Sequence, residues 1–344
     1  MQLSEFDFVL PEGLIATHPA EPRDTAKLLV ANRDSGEIIH SHFYNLSDFL
    51  REDDFLVFNK SRVIPARLFG RLGGKNIEIL LTKSISQCTW EVMAKPGKRL
   101  KNGSRIQFKS QLSAEVFAAS DGVFRLKFSL KGDELWEEID KIGEMPLPPY
   151  ILKARCEKHD EDVDKKDYQT VFAEKPGSVA APTAGLHFTD ELIKKIKAKG
   201  CDVGFVDLHV GLGTFEPIRT ENIEDHKIHS EYFELSQDLV DKLNIAKKEG
   251  RRIIAVGTTT VRVLESCQEN GVLSPQSGET NIYIYPGYKF GFVDGMITNF
   301  HLPKSSLLLL VSAFYSKKKI LEIYNEAIQK DYRFYSYGDG MLLL

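Results

Sequence analysis

The chain has 344 residues, of which 42% are hydrophobic and 27% are charged, and its formal net charge is −4. This length exceeds what one hydrophobic core usually serves, so two domains are expected. The slightly negative charge argues against a protein that coats nucleic acid non-specifically, and any RNA contact is expected to be local.

The N-terminus and the cysteines indicate where such a protein works. The segment MQLSEFDF is acidic and lacks the basic and apolar regions of a signal peptide. The longest apolar run, residues 307–311, is too short to cross a bilayer. The four cysteines are widely spaced and form no C-x-x-C pair, so neither a disulfide framework nor a structural zinc site is expected. These features predict a cytoplasmic protein without a membrane segment or a bound metal.

The first elements along the chain are β-structure. LLVANRDSGEIIH is typical of a hairpin, and DDFLVFN is typical of a strand. Between residues 66 and 128, short β-prone runs are separated by turn pairs such as Asn102-Gly103, which favours a small barrel or sandwich. The proline-rich PLPPY then marks the exit from an inserted domain.

From Gly185 onward, helices and strands alternate. Ser236 caps a helix that Gly250 ends, and the strand RRIIAVG leads into another helix. Alternation at this spacing indicates an α/β layer with parallel strands. The predicted fold is therefore a larger mixed α/β domain, residues 1–65 and 150–344, with an inserted all-β barrel-like domain, residues 66–149.

The stretch from Ser178 to Glu234 is dense in Gly, His and acidic residues. Gly suits tight turns and close approach to a ligand, while His and carboxylates transfer protons near neutral pH. This stretch is interpreted as the floor of a reaction site. His187 and His209 are its acid/base candidates, although a loop histidine that only bonds to backbone is an equal alternative.

A candidate anion site follows the strand that ends at Gly257. Thr258, Thr259 and Thr260 bring hydroxyls and amides to a helix N-terminus, which attracts carboxylate or phosphate. Arg262, one turn further, adds a guanidinium suited to an anion. The alternative is that these threonines are ordinary helix caps.

Several other polar or basic segments are candidates for substrate contact. Asn299, His301 and Lys304 lie in a loop ahead of an apolar helix that Ser305 or Ser306 is expected to cap. Arg62 and Arg67 lie near the predicted domain junction, where a substrate or phosphate contact is expected. The aromatic segment FYSYGDGMLL near the C-terminus could stack on bases or form an edge strand, and the basic KPGKRLK could hold RNA phosphates or be solvated.

Nearly end to end, these segments resemble the S-adenosylmethionine:tRNA ribosyltransferase-isomerases of the queuosine pathway. The resemblance is carried by HPAEPRDTAKLLV, RVIPARLFG, MPLPPYI, DYQTVFA, SVAAPTAGLHFT, LHVGLGTFEPI, HSEYFEL, AVGTT-VR, IYPGYKF, TNFHLPKS and SYGD. Two positions depart from the family pattern: Lys60, where an acidic or small polar residue is more usual, and Gly340, where alanine is usual.

The resemblance implies an α/β domain with an inserted β-barrel. It implies transfer and isomerisation of the ribosyl part of S-adenosylmethionine onto 7-aminomethyl-7-deazaguanine at the tRNA wobble position, giving epoxyqueuosine-tRNA, adenine and methionine. The donor is consumed, so no further cofactor and no metal are implied. The expected partner is a tRNA with a GUN anticodon, and the expected state is a monomer.

This chemistry needs at least two proton-transfer groups, because a proton beside the sulfonium must be removed and adenine must leave protonated. The catalytic candidates are His187, His209, Glu216 and Glu231. Of the carboxylates, Glu216, Glu231 and Asp339 could each recognise the aminomethyl group, face the sulfonium or, with a raised pKa, transfer a proton. The expected substrate-binding residues are Arg62, Arg67, Thr183, Gly185, Asp207, Gly211, Gly213, His229, Thr258, Thr259, Thr260, Arg262, Asn299, His301, Lys304, Tyr337 and Asp339.

Two other functions stay open at this point. An RNA methyltransferase would use the same donor, but no glycine-rich nucleotide loop follows an N-terminal strand. A non-catalytic RNA-binding module would leave the concentration of His and Glu near glycine turns unexplained. The fate of the donor distinguishes the three: adenine plus methionine, S-adenosylhomocysteine, or no turnover.

Overall fold

A computed structural model describes residues 1–120, 123–155, 160–211 and 218–344. The chain forms two compact units. The first, called the α/β unit, comprises Met1–Ser61, Gln169–Lys175 and Ala181–Leu344. The second, called the barrel unit, comprises Arg62–Tyr168 and Pro176–Ala180. Compact grouping does not test independent folding, so the domain limits expected from the sequence stay a prediction.

The strands are given in chain order. The first four are β1 (Lys27–Ala31), β2 (Ile38–His42), β3 (Phe55–Asn59) and β4 (Arg62–Val63). The next six are β5 (Arg67–Leu72), β6 (Lys75–Ser86), β7 (Thr89–Lys95), β8 (Arg105–Phe108), β9 (Ser113–Ser120) and β10 (Val123–Phe128). The others are β11 (Pro176–Ser178), β12 (Asp202–Leu208), β13 (Glu231–Leu235), β14 (Ile253–Val256), β15 (Gln268–Glu269), β16 (Val272–Leu273), β17 (Gln276–Thr280), β18 (Gly295–Asn299) and β19 (Gly340–Leu343).

The α-helices are α1 (Gly132–Ile142), α2 (Pro149–Ala154), α3 (Glu161–Asp167), α4 (Asp190–Ala198), α5 (Gln237–Lys248), α6 (Thr258–Cys267), α7 (Ser306–Phe314) and α8 (Lys317–Gln329). Short 3-10 helices cover Leu3–Phe6, Glu12–Leu14, Arg23–Thr25, Phe43–Phe49, Gly97–Arg99, Thr183–His187 and Ile223–Asp225. None of the helices in the described part of the chain is long and apolar enough to cross a membrane.

The α/β unit is built on a nine-stranded sheet with the order β17-β13-β12-β3-β14-β18-β19-β1-β2. Its four adjacent strands β12, β3, β14 and β18 are parallel. All residues of β3, β14 and β18 are buried, as expected for parallel strands covered on both faces. The predicted α/β class is confirmed. The alternative of an edge strand near the C-terminus is wrong, because β19 lies between β18 and β1.

The barrel unit contains a closed six-stranded barrel with the order β10-β7-β6-β5-β8-β9. In β10 exposed and buried residues alternate strictly, so one face points into the barrel and the other points outward. Closure pairs every strand on both sides and removes free edges. The barrel-like β-structure predicted from the sequence is therefore confirmed.

Helix starts in the α/β unit follow the caps expected from the sequence. The Ser236 hydroxyl accepts a hydrogen bond from the amide of Leu239 at the start of α5. The Ser305 hydroxyl does the same for the amide of Leu308 in α7. Such caps satisfy amides that have no partner within the helix. At α6 the turn is made by Gly257, whose φ of 93° is disfavoured for any residue with a side chain.

Candidate active site

The carboxyl ends of the four parallel strands lie at one edge of the sheet and carry the polar segments found in the sequence. Asn59 ends β3, His209 follows β12, Gly257 follows β14 and Asn299 ends β18. The Asn59 side chain bonds both backbone groups of Leu208, which ties β3 to β12 at this edge. In open α/β sheets ligands bind in the crevice at this edge, so the topology alone makes it the candidate site.

Two neighbouring clefts open within the α/β unit. The first, called the threonine cleft, has about 400 Å³ of empty space including its mouth, and it is lined by Ala181, Pro182, Thr183, Ala184, Val210, Gly257, Thr258, Thr259, Thr298, Asn299, His301 and Leu307. The second, called the arginine pocket, has about 380 Å³ and is lined by Ile228, His229, Glu231, Arg262, Ile282, Tyr283, Ile284, Ser306, Leu307 and Leu310. Leu307 lines both, so the two are adjacent.

The three threonines at the start of α6 do not act alike. Thr258 and Thr259 line the threonine cleft, and among the described residues the buried Thr259 hydroxyl has no hydrogen-bond partner. Thr260 instead donates to the carbonyl of Val256, 2.8 Å away, and is fully buried. The first two threonines therefore offer hydroxyl and amide groups to a ligand, while the third holds the strand-to-helix turn.

Asn299 is fixed by three hydrogen bonds at the floor of the threonine cleft. Its carbonyl oxygen accepts from the Thr183 hydroxyl at 3.0 Å. Its amide group donates to Nε2 of His187 and to the carbonyl of Tyr335, both at 3.1 Å. The His187 ring also stacks on Phe43 with ring centroids 4.2 Å apart. Because Nε2 accepts a hydrogen bond, the ring carries its proton on Nδ1, and His187 holds Asn299 in place from behind the cleft.

Two buried histidines near the cleft are neutral at physiological pH. Burial lowers the pKa of His187 to about 3, and the positive charges of Arg333 and Arg23 act in the same direction. Burial likewise lowers the pKa of His301 to about 3. Nε2 of His301 lies 2.9 Å from the Thr298 hydroxyl. His301 therefore offers the cleft a neutral imidazole.

We expect these two histidines to make the fold sensitive to acid. Their folded pKa of about 3 lies below the unfolded value of 6.5. The unfolded chain thus binds more protons, and stability is full above pH 6.5 and falls as pH drops towards 3. Between pH 7 and pH 5 each histidine should cost about 2 kcal/mol of unfolding free energy. Urea denaturation at both pH values measures this loss.

The variant His301→Gln should lose about half of the extra acid sensitivity, because only His187 then remains to be protonated. His18→Gln provides the control, since His18 is exposed. An identical pH dependence in wild type and His301→Gln would contradict the assignment of a buried neutral imidazole.

The arginine pocket contains a buried ion pair. Nη1 of Arg262, on α6, bonds Oε2 of Glu231, on β13, and their side chains are 6% and 3% exposed. Oε1 of Glu231 accepts from the amide of Gly211 at 2.9 Å, and Nε of Arg262 lies 3.3 Å from the carbonyl of Ile282. From the sequence, Arg262 was predicted to share an anion site with the three threonines. The structure instead directs its guanidinium to Glu231 in the neighbouring pocket.

Asp207, on β12, and His209, just after the end of β12, form a separate pair. Nε2 of His209 lies 3.5 Å from Oδ1 of Asp207, and Nζ of Lys175 lies 4.0 Å from Oδ2. Burial raises the pKa of Asp207, and the imidazole and Lys175 oppose the rise. Burial lowers the pKa of His209, and the Asp207 charge opposes that. The next residue after His209 is Val210, which lines the threonine cleft, so the pair lies beside that cleft.

The remaining predicted residues outside the barrel unit divide into three groups. Gly185, Gly211 and His229 lie at or beside the clefts: Gly185 packs so closely that a Cβ would meet Phe172 at 2.9 Å, and His229 lines the arginine pocket. Gly213 and Glu216 lie outside the described residues. The third group lies away from both clefts.

In that third group, Asp339 accepts hydrogen bonds from the amides of Lys27 and Arg333, at 2.9 and 2.8 Å, and so braces the backbone. Nζ of Lys304 lies 2.5 Å from the carboxylate of Asp7. The Tyr337 side chain is 1% exposed, which leaves no ring face for a base.

Arg62 and Arg67 belong to the barrel unit. Arg67 bonds the carboxylate of Glu78 at 2.7 Å and lies 3.7 Å from that of Glu144. Arg62 lies 3.8 Å from Asp140 and is 41% exposed. Of the two, Arg62 is the more accessible to an RNA phosphate.

Tyr283 is a residue of the candidate site that was not predicted from the sequence. It lines the arginine pocket, and among the described residues its buried hydroxyl has no hydrogen-bond partner. Burial raises its pKa, so the hydroxyl stays protonated and can donate. The signal was present in NIYIY, where a tyrosine alternates with apolar residues. Among the described residues, no group of three or more His, Cys, Asp or Glu side chains is arranged to hold a metal ion.

Comparison with known proteins gives matches over the whole chain. Residues 3–343 match the model of a family described as queuosine biosynthesis protein. The S-adenosylmethionine:tRNA ribosyltransferase-isomerases of Carboxydothermus hydrogenoformans and Halothermothrix orenii are each 51% identical and are matched over 100% of both chains. A crystal structure of S-adenosylmethionine tRNA ribosyltransferase from Thermotoga maritima is 37% identical, covers 99% of this chain and 100% of its own, and has a TM-score of 0.57.

Proposed function

This chain belongs to the queuosine biosynthesis protein family, and we propose that it transfers and isomerises the ribosyl moiety of S-adenosylmethionine onto 7-aminomethyl-7-deazaguanine at the wobble position of a tRNA. It is an enzyme of the transferase and isomerase kind. The proposed products are epoxyqueuosine-tRNA, adenine and methionine. The observation that carries this proposal is the 51% identity, over the full length of both chains, to relatives named for this ribosyl transfer.

The geometry supports such a reaction in three ways. The threonine cleft offers the Thr259 hydroxyl, which has no hydrogen-bond partner among the described residues, to a ribose or a base. The adjacent arginine pocket supplies a guanidinium. A histidine and a buried carboxylate lie on the neighbouring strand end. A sulfonium donor needs a base for the proton beside it and an acid for the departing adenine, so a site with several titratable groups suits this chemistry.

His209 is the leading proton-transfer residue of the proposal. Its side chain is 28% exposed while its Nε2 is buried next to Asp207, so a substrate would reach the ring from its exposed side, and Asp207 stabilises the protonated form. His187 and Glu231 were equal candidates from the sequence, and their contacts favour supporting roles. His187 fixes Asn299 at the cleft, and Glu231 holds Arg262 in the pocket. Glu216 stays a candidate carboxylate on sequence grounds.

The proposal includes the finer properties expected from the family. The tRNA substrate carries a GUN anticodon, the protein works as a monomer in the cytoplasm, and S-adenosylmethionine is consumed as the ribosyl donor without a further cofactor or a metal. The barrel unit offers Arg62 to an RNA phosphate, and Lys304 is a second exposed cation. Loss of a phosphate contact in Arg62→Ala would weaken tRNA binding and flatten its salt dependence.

The decisive experiment follows the donor and the acceptor together. Purified protein is incubated with S-adenosylmethionine and tRNA bearing 7-aminomethyl-7-deazaguanine, and released adenine and the mass of the modified nucleoside are measured. We expect adenine release in step with a mass gain that corresponds to epoxyqueuosine. Formation of S-adenosylhomocysteine would favour a methyltransferase, and an intact donor with folded protein and verified tRNA would favour a binding module.

A further inference from the structure

The arginine pocket contains two hydrogen-bond donors that no described residue uses. Nη2 of Arg262 and the hydroxyl of Tyr283 are both buried, and within the described part of the chain neither has a partner. Leaving a buried donor unpaired costs stability, and the cost is larger for a charged group. That cost is recovered if a ligand brings an acceptor. A guanidinium and a phenol together suit an oxyanion.

The walls of the same pocket are apolar. Ile228, Ile282, Ile284, Leu307 and Leu310 supply most of the lining. The ligand portion that fits is therefore a short aliphatic chain that ends in a negatively charged oxygen group. Leu307 also lines the threonine cleft, so the two spaces lie next to each other.

We propose that the arginine pocket binds the methionine end of S-adenosylmethionine, with the donor's carboxylate accepting hydrogen bonds from Nη2 of Arg262 and the Tyr283 hydroxyl. The methylene groups then pack against the isoleucine and leucine walls, and the adenosyl part extends into the threonine cleft. This inference rests on the proposed function, because it assumes that S-adenosylmethionine is the donor. It adds the orientation of that donor and a residue, Tyr283, that recognises it.

A tRNA phosphate is the competing anion, and the pocket is less suited to it. A phosphate in a nucleic acid chain carries a ribose on either side, which the apolar walls would have to desolvate. Glu231 places a negative charge beside the guanidinium, which limits the attraction for the polyanionic backbone. A carboxylate at the end of an aliphatic chain brings no ribose into the pocket, and the neighbouring α-ammonium of the methionine end offsets its charge near Glu231.

Tyr283→Phe is the informative variant. It removes only a hydroxyl that has no described partner, so folding should be preserved, whereas changes at Arg262 leave Glu231 buried without its counter-charge. Tyr285→Phe is the matched control, since Tyr285 packs against Tyr283 with ring centroids 5.0 Å apart but does not line the pocket.

The dissociation constants of S-adenosylmethionine and of its decarboxylated analogue are measured by calorimetry. We expect Tyr283→Phe to raise the dissociation constant of S-adenosylmethionine about tenfold, as for loss of one hydrogen bond to a charged group. The dissociation constant of the analogue should stay the same. Tyr285→Phe should change neither. Equal effects on both ligands, or no effect on either, would overturn the inference.

Two further measurements separate this inference from its alternatives. The affinity for tRNA should be the same in Tyr283→Phe and wild type, and a weaker affinity in the variant would assign the pocket to a tRNA phosphate instead. Adenine release by the wild-type enzyme tests the proposed function by itself. If wild type releases adenine and Tyr283→Phe binds both ligands as wild type does, the function stands and the orientation of the donor is wrong.

Discussion

Replacing His209 by alanine is expected to slow adenine release in a single turnover by about 10²–10⁴-fold, the range typical for loss of a general acid or base. The imidazole is partly exposed, and Asp207 lies 3.5 Å from its Nε2. Single-turnover conditions are required because they report the chemical step and not product release. His40→Ala is the control. His40 lies on β2, the last strand of the sheet, and its ring bonds the side chains of Tyr332 and Glu326.

A second variant distinguishes proton transfer from a structural role. Burial lowers the pKa of His209, and the Asp207 charge partly opposes this. Asp207→Asn should therefore lower that pKa further. The limb of the pH–rate profile that belongs to His209 should then move to lower pH. An unchanged single-turnover rate in His209→Ala, or a pH profile that Asp207→Asn does not shift, would remove His209 from the mechanism.

The second large effect is expected from the ion pair in the arginine pocket. Glu231→Gln keeps the side-chain shape but leaves Arg262 without its counter-charge. Arg262 is buried, with 5% of the whole residue exposed. Breaking a buried pair on one side typically costs about 3–5 kcal/mol, because the remaining charge is neither solvated nor paired. Urea denaturation of wild type and variant measures the change in unfolding free energy.

The matched control breaks an exposed pair. Lys242→Ala removes the bond between Lys242 and Asp238 on α5, and such pairs contribute about 0.3–0.5 kcal/mol. The double variant Glu231→Gln with Arg262→Met should recover much of the loss, because no charge is then left buried. Equal stability of Glu231→Gln and Lys242→Ala would show that the Arg262 charge is compensated by other groups.

The architecture could be predicted from the sequence where patterns are local. The hairpin of β1 and β2, the six short barrel strands and the caps of α5 and α7 follow from apolar periodicity, turn pairs and capping residues, which act over a few residues of chain. The pairing of β19 between β18 and β1 could not be predicted, since strand order depends on contacts between distant segments.

The candidate site was partly predicted for the same reason. Segments at the ends of parallel strands could be recognised from their Gly, His and acidic residues, and the sheet brings several of them to one edge. Which side chains share a cleft could not be recognised from the sequence. Arg262 is two residues from Thr260, yet its guanidinium reaches Glu231, thirty-one positions away in the chain. Asp339, predicted as a substrate contact, accepts hydrogen bonds from two backbone amides, which the sequence did not indicate.

The sequence by itself determined the family, the α/β and barrel classes and the segments that carry the chemistry, because these are encoded in ordered motifs and in short-range periodicity. The contacts of the side chains within those segments came from the tertiary structure. It assigned His187 to Asn299, Glu231 to Arg262 and Asp207 to His209, and it added Tyr283. The physical reason is that protonation and hydrogen bonding depend on burial and on atoms a few ångströms away, and these neighbours come from distant parts of the chain.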